Sequence, residues 1–438
     1  MIIRQLGLLG VLLFCQSGAL AQLDATEQEM VAVVDRTNDA ALELLITSVN
    51  INSGTMNFAG VREVGLLFQE QFDELGFATR WEDGSPFGRA GHLVAEHHGG
   101  GDGPRLLLIG HLDTVFEPDS PFQSYSRQDA DRATGPGIAD MKGGIVIILQ
   151  ALRALHEVGA LAPMEIVVVL TGDEELSGDP LELSKKALTD AAAWADIAVG
   201  FENGDGNPST ANISRRGASG WVLDVTGTPA HSSQVFREDI GPGAIYETAR
   251  ILTLFLQNLQ QEENLTFNPG RIVGGTEIDF DDGAGSGSAF GKNNVVAEYA
   301  RVTGDLRAVS LDQLQRARTT MRAIVADNFP HTSATISFSD GYPPLAPTDG
   351  NRELLDLYSQ ASQDLGQGSV APVNPHLAGA ADVSFTAGLV DRAIDGLGMS
   401  GAAGHTVNET GYLAALPDQS KRAAVFLYRL TYSAGSDD

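Results

Sequence analysis

Apolar residues fall along this chain in two textures. Short, unbroken apolar runs at 105–109, 165–170 and 196–201 are each bounded by turn residues and separated by stretches of helical period. Runs of that length, alternating with helices, predict a parallel sheet covered on both faces. Amphipathic helices are predicted over 27–47 and 58–75, joined by the turn Ser53-Gly54-Thr55, and again over 144–157. From Gly217 the texture changes to half-buried strands at 221–226, 295–303 and 334–338. Between them lie two helical stripes, Ile245, Ala249, Leu252, Leu256, Leu259 and Leu311, Leu314, Ala317, Met321, Ile324. Two helices on an open sheet predict a small α+β unit. Residues 281–292 hold four glycines and two serines, the composition of a mobile loop. After Gly341-Tyr342-Pro343-Pro344 the first texture returns, with a helix at 351–365, a segment near Asp382 and a closing helix at 416–432. The expected fold class is therefore α/β with a mainly parallel sheet, built from 22–215 and 341–438, with a smaller α+β domain of 216–340 inserted into it.

Length supports the division, since 438 residues exceed what one hydrophobic core usually spans. The formal charge of −29 excludes nucleic acid and anionic membrane as partners, because both need basic surface. Residues 1–21 read as a signal peptide: Arg4, an apolar run over 6–14, and the small residues Ala19 and Ala21 at the cleavage positions. That run is too short to span a bilayer. It contains the single cysteine, Cys15, and bulky Phe14 before it argues against a lipid anchor there. The mature chain is thus expected to be periplasmic or secreted, off the membrane and without thiol ligands. Any metal site must use histidine and carboxylate.

Candidate ligands gather where strands end. Gly110-His111-Leu112-Asp113-Thr114 follows the run 105–109, and Thr171-Gly172-Asp173-Glu174-Glu175 follows 165–170. Glu202 follows 196–201. In parallel sheets ligands collect beyond the carboxyl ends of strands, so these three segments share one edge. Asp140, in Gly135-Pro136-Gly137-Ile138-Ala139-Asp140-Met141-Lys142-Gly143-Gly144, can reach the edge from a glycine-rich loop. His405, in Gly401-Ala402-Ala403-Gly404-His405, can reach it from the returning segment. Two imidazoles and three carboxylates suit zinc or a neighbouring borderline ion rather than calcium, which takes oxygen alone. Asp113, two residues after His111, would accept the other imidazole N–H and orient the ring.

Together these segments resemble the ordered motif set of the di-zinc metallopeptidase family that includes carboxypeptidase G, acetylornithine deacetylase, succinyl-diaminopimelate desuccinylase and aminoacylase. The likeness spans almost the whole mature chain. Through Ser53-Gly54-Thr55-Met56-Asn57, Gly60 and Leu75-Gly76-Phe77 it is strongest to the glutamate carboxypeptidase branch. The resemblance implies a zinc-exopeptidase-like catalytic domain and an inserted lid that dimerises. It implies two Zn2+ per subunit, with Co2+ or Mn2+ as substitutes. Asp140 would bridge the ions, His111 and Glu202 would hold one, and Glu175 and His405 the other. Glu174 would be the general base, and the Asp140–Met141 peptide would be cis.

From the lid, the resemblance implies that His231, in Gly227-Thr228-Pro229-Ala230-His231, stabilises the oxyanion, often of a partner subunit. Asn294 and Arg307 would bind a substrate carboxylate, for which a planar guanidinium is suited. His97-His98, beside a glycine run, reads as an exposed loop, and His92, His156, His331 and His376 have no motif around them. Ala378-Gly379-Ala380-Ala381-Asp382 departs from the family's Gly-x-Ser-Asp pattern. The implied activity is hydrolysis of an amide next to a free carboxylate, releasing a C-terminal amino acid from a small peptide. The alternatives are an N-acyl-amino-acid deacylase of identical chemistry and a non-catalytic binding homologue. The implied assembly is a homodimer through the lid.

Overall fold

A computed structural model describes residues 23–432. The segment read as a signal peptide, with Cys15, lies outside the described residues. One six-stranded sheet organises the larger unit, in the order Ala78–Asp83, Gly91–His98, Glu165–Thr171, Arg105–His111, Ile197–Gly200, Arg392–Ile394. The last four run parallel, and the first two form an antiparallel hairpin at one edge. Successive side chains of a strand point to opposite faces, and both faces here are covered. Leu106 and Leu108 pack with Val168 against the helices Ala25–Val49, Phe58–Glu74, Lys142–Glu157 and Ala415–Tyr432. Leu107 and Ile109 pack with Val167, Val169 and Leu188 against Lys186–Trp194 and the turn of helix Asp382–Thr386. This is why the sequence shows unbroken apolar runs instead of alternation.

Local chemistry fixes the helices that close the unit. Asp24 and Glu27 form a reciprocal capping box at the start of Ala25–Val49. The closing helix is tied back to it by Arg429, which pairs with Glu27 at 2.6 Å and with Asp364 at 2.7 Å.

The segment 219–340 has its own sheet and core. Its four antiparallel strands run in the order Thr266–Gly275, Tyr299–Arg307, Ser219–Gly227, Thr332–Asp340. The helices Ala244–Leu259 and Leu311–Ala326 back one face around Trp221, Leu223, Phe255, Val302 and Met321. Chain entry and exit are joined: Arg215 and Leu345 exchange both backbone hydrogen bonds, each at 3.0 Å.

Four expectations need correction. The strand expected at 295–303 runs instead over Tyr299–Arg307, because Val295 and Val296 are used in pairing with His231 and Ala230. The glycine-rich stretch 281–292 is no loop throughout; Ser286–Phe290 pairs with Glu277–Asp281, and Gly285 supplies the left-handed residue of the turn at φ 61°. On Ala244–Leu259 the buried face is Ala244, Glu247, Thr248, Ile251, Phe255 and Leu259, so of the expected stripe Leu259 is buried and Leu252 partly so, while Ile245, Ala249 and Leu256 face outward. Ile245 and Leu256 are 50% and 52% exposed. His97 and His98 end a strand, bonded to the Leu161 carbonyl and Glu165. Among the described residues, no helix is long and apolar enough to cross a membrane.

Candidate metal centre and active site

Three neighbouring parallel strands deliver the first ligands. His111 is the last residue of Arg105–His111 and lies in register with Thr171, from which the chain continues to Glu174 and Glu175. Glu202 follows Ile197–Gly200 on the other side. Asp140 arrives just ahead of Lys142–Glu157, whose first turn lies against the end of that strand. A Cβ on Gly144 would sit 2.1 Å from the Phe201 carbonyl oxygen, so only glycine allows the approach. The Asp140–Met141 peptide is cis. His405 comes from a loop in which Ala403 and His405 both adopt left-handed backbone, at φ 58° and 61°. Non-glycine residues take that conformation where the surroundings demand it, often at functional sites.

These side chains form two groups that share one residue. His111, Asp140 and Glu202 place donor atoms within 4.8 Å of one another, and so do Asp140, Glu175 and His405. His111 Nε2 lies 3.2 Å from Asp140 Oδ1 and 3.3 Å from Glu202 Oε1. His405 Nε2 lies 3.2 Å from Asp140 Oδ2 and 3.2 Å from Glu175 Oε2. Asp140 thus turns one oxygen to each imidazole. His111 is buried, whereas the His405 side chain is 59% exposed, so the cluster opens to solvent on that side.

A shell of hydrogen bonds fixes the cluster. His111 Nδ1 donates to the Asp113 carbonyl at 3.0 Å, which turns Nε2 toward the carboxylates of Asp140 and Glu202. Sequence reasoning gave that contact to the Asp113 carboxylate, which is farther away at 3.5 Å. The Asp113 carboxylate instead accepts from Thr55 Oγ1 at 2.7 Å and from the backbone N–H groups of Glu174 and Glu175 at 3.1 Å each. It holds the loop of Glu174 and Glu175 rather than the ring alone. Glu202's own N–H donates to Asp395, which pairs with buried Arg215.

Negative charge exceeds positive here. Burial raises Glu174 well above the ordinary carboxylate range, and Glu202 and Asp382 add to this against the opposing charge of His111. Burial, with the charge of Asp140, pushes Glu202 up to about 7. Hydrogen bonds donated to the Asp140 and Glu175 carboxylates push His405 up to about 11. Carboxylates crowded this way call for added positive charge, and a mixed nitrogen and oxygen donor set in two groups fits two borderline divalent cations.

The lid residues stand apart. His231 is exposed, with Nδ1 bonded to Ser233 Oγ at 2.8 Å, and Ser232 N donates to the Asn294 carbonyl at 2.8 Å, so His231 and Asn294 are neighbours. Arg307 pairs with Asp305 at 2.9 Å. Among the described residues, no hydrogen bond or ion pair joins these three side chains to the ligand groups.

Residues 107–430 match peptidase family M20/M25/M40. The chain belongs to that family. This M20 chain is 24% identical over 372 residues to carboxypeptidase G2 of Pseudomonas sp. (strain RS-16), covering 84% of this chain and 83% of that protein. It is 30% identical over 213 residues to succinyl-diaminopimelate desuccinylase of Maricaulis maris (strain MCS10), covering 45% of this chain and 50% of that one. Its fold is that of the YXEP protein of Bacillus subtilis, a dinuclear metal binding peptidase from the M20 family, with a TM-score of 0.62 at 16% identity over 91% of this chain and 99% of that one. The chain is accordingly an M20 metallopeptidase or amidohydrolase, with side chains placed to bind metal.

Three residues of this M20 site escaped sequence reasoning. Glu409 is fully buried and accepts from the backbone N–H groups of Gly137 at 3.0 Å, Ala139 at 2.9 Å and Asp140 at 3.0 Å. Its position four residues after His405, as the sole acid in that glycine-rich stretch, was the available signal. Lys185 is buried between Asp173 and Asp382, 3.0 Å from each. Tyr342, at the return from the lid, donates to the Glu174 carbonyl at 2.8 Å. Nothing in the sequence pattern around Lys185 or Tyr342 announces these contacts.

Proposed function

We propose that the chain is a zinc-dependent exopeptidase that hydrolyses an amide next to a free carboxylate and releases a C-terminal amino acid. The observation that carries this reading is the pair of ligand groups sharing Asp140, with Glu174 on the loop between two of the ligand strands. In this reading His111 and Glu202 hold one cation, Glu175 and His405 hold the other, and Asp140 belongs to both. When bound, such cations lower the pKa of water and polarise an amide carbonyl. Glu174 takes the proton from the attacking water and hands it to the leaving nitrogen, a role for which a raised pKa is suited. His231 donates to the developing oxyanion, and Asn294 with Arg307 receives the substrate carboxylate. These groups lie on the lid, so the reading requires the lid, or that of a second copy, to approach the ligands.

A homodimer through the lid belongs to the same proposal. Its support is the outward face of Ala244–Leu259, where Ile245, Tyr246 and Leu256 are at least half exposed. The partial likeness to a desuccinylase supports a second reading, removal of an acyl group from an N-acyl amino acid by the same chemistry. Metal analysis together with a panel of aminoacyl-glutamates and N-acetyl amino acids separates the two. Faster release of a C-terminal residue supports the first, and faster loss of the acetyl group supports the second. A protein that retains less than about one zinc ion and hydrolyses neither class would overturn both.

A further inference from the structure

Glu174 stands on a loop whose peptide groups are held one by one. Asp113 accepts the N–H groups of Glu174 and Glu175 at 3.1 Å each. Lys185 Nζ donates to the Asp173 carbonyl at 3.2 Å, and Asp173 Oδ2 accepts from Gly178 N at 2.9 Å. Arg89 donates to the carbonyls of Leu176 at 2.7 Å and Ser177 at 2.9 Å. All these partners belong to the larger unit and precede the lid in the chain. The carbonyl of Glu174 is held from elsewhere, by the Tyr342 hydroxyl at 2.8 Å. The same hydroxyl lies 3.2 Å from Ser177 Oγ.

Tyr342 lies two residues beyond Thr332–Asp340, the strand by which the chain leaves the lid. The pairing of that strand with Ser219–Gly227 runs on to this point, because Asp340 stands opposite Ser219 and Ala218 N donates to the Tyr342 carbonyl at 2.9 Å. Gly217 packs against the same stretch. A Cβ added there would sit 2.7 Å from Pro344 N and 2.8 Å from the Tyr342 carbonyl oxygen. The Tyr342 ring has its own seat, 4.9 Å from the Phe385 ring, with Lys185 Nζ 5.4 Å from its centre. A packed ring keeps the hydroxyl at a fixed reach from its backbone, so a shift of the lid's neck reaches the Glu174 peptide through one hydrogen bond. Contiguous packing and hydrogen bonds of this kind are what carry coupling between two places in a fold.

We propose that Tyr342 is a positioning residue that couples the placement of the lid to Glu174. This rests on the reading above, in which Glu174 is the general base and the lid approaches the ligands. Among the described residues the hydroxyl bonds to no ligand side chain. It acts by orienting the peptide from which Glu174 and then Glu175 project. The approach of the lid and the alignment of the base thereby become one event.

Tyr342→Phe removes the hydroxyl and keeps the ring on Phe385 and Lys185. The assay uses the zinc-loaded full chain and whichever aminoacyl-glutamate or N-acetyl amino acid it cleaves faster. The expected result is a kcat lower by about ten- to a hundredfold, the cost of a small misplacement of a catalytic group, with KM and bound zinc unchanged. Gly217→Ala presses on the Tyr342 backbone, leaves the hydroxyl in place and is expected to lower kcat too. The double variant decides the coupling. A kcat no lower than that of the worse single variant supports it, because both changes then break one link. Losses that multiply overturn it, as does an unchanged kcat in Tyr342→Phe or a loss of zinc in step with kcat. Should Gly217→Ala fail to fold, amide hydrogen exchange in Tyr342→Phe decides instead. Faster exchange at 174–178 and at 217–218 together supports the link, and any other pattern overturns it. A native chain that cleaves neither class of amide would sink the proposed function, and the exchange measurement would still decide the link.

Discussion

Glu174 is half-buried and Glu409 fully buried near the ligands, and their surroundings give them opposite duties. Glu174 has its backbone pinned at both ends, by Asp113 and Tyr342, and its carboxylate left without a hydrogen-bond partner among the described residues. A free, raised carboxylate held on a fixed loop is what a general base requires. Glu174→Gln is expected to lower kcat by about 10²–10⁴-fold while bound metal stays constant; loss of metal along with activity would assign it to binding instead. Glu409 spends its oxygens on three N–H groups of the loop that carries Asp140. Glu409→Gln replaces one acceptor by a donor facing a donor. Metal affinity is expected to weaken by about 10–100-fold, as when outer partners of ligands are removed, read by competition with a chromogenic chelator. Unchanged affinity would mean that the loop holds its shape unaided.

At the scale of elements, the sequence revealed strand ends better than helix faces. His111, Glu174, Glu175 and Glu202 were legible because short buried strands have few registers, and polar residues at their ends must share an edge. The phase of Ala244–Leu259 was not, because Ile245 and Leu256 are as apolar as Ile251 and Phe255, and periodicity alone does not say which stripe meets the sheet. The pairing of Ser286–Phe290 was hidden for a related reason, since a hairpin of glycine and serine carries no apolar signal. Long-range polar ties are equally invisible. Arg429 joins the closing helix to Glu27 in the first helix and to Asp364, both buried. Arg429→Ala leaves two carboxylates without their cation and is expected to destabilise the fold by about 3–5 kcal/mol. The midpoint of urea unfolding measures it, and a shift worth under about 1 kcal/mol would show that solvent reaches the pair.

For the whole molecule, the two-unit division was legible from the change of texture at Gly217 and its reversal after Gly341. The burial of Arg216, where the chain passes into the lid, was not, because a lone charged side chain gives no sign in the sequence of being covered. The outward stripe of the lid helix bears on assembly. Ile245→Glu with Leu256→Glu is expected to convert a dimer to monomers in analytical ultracentrifugation; an unchanged sedimentation coefficient would rule this face out. The bridge between Arg215 and Leu345 has a consequence of its own. Because the chain leaves and re-enters through adjacent residues, the lid is a detachable cassette, hung by two threads at one point. This mounting means that 218–340 can be exchanged for a few glycines without opening a gap. The excised protein is expected to load metal as before and to lose preference for anionic amides, so that the two halves of the task can be handled separately.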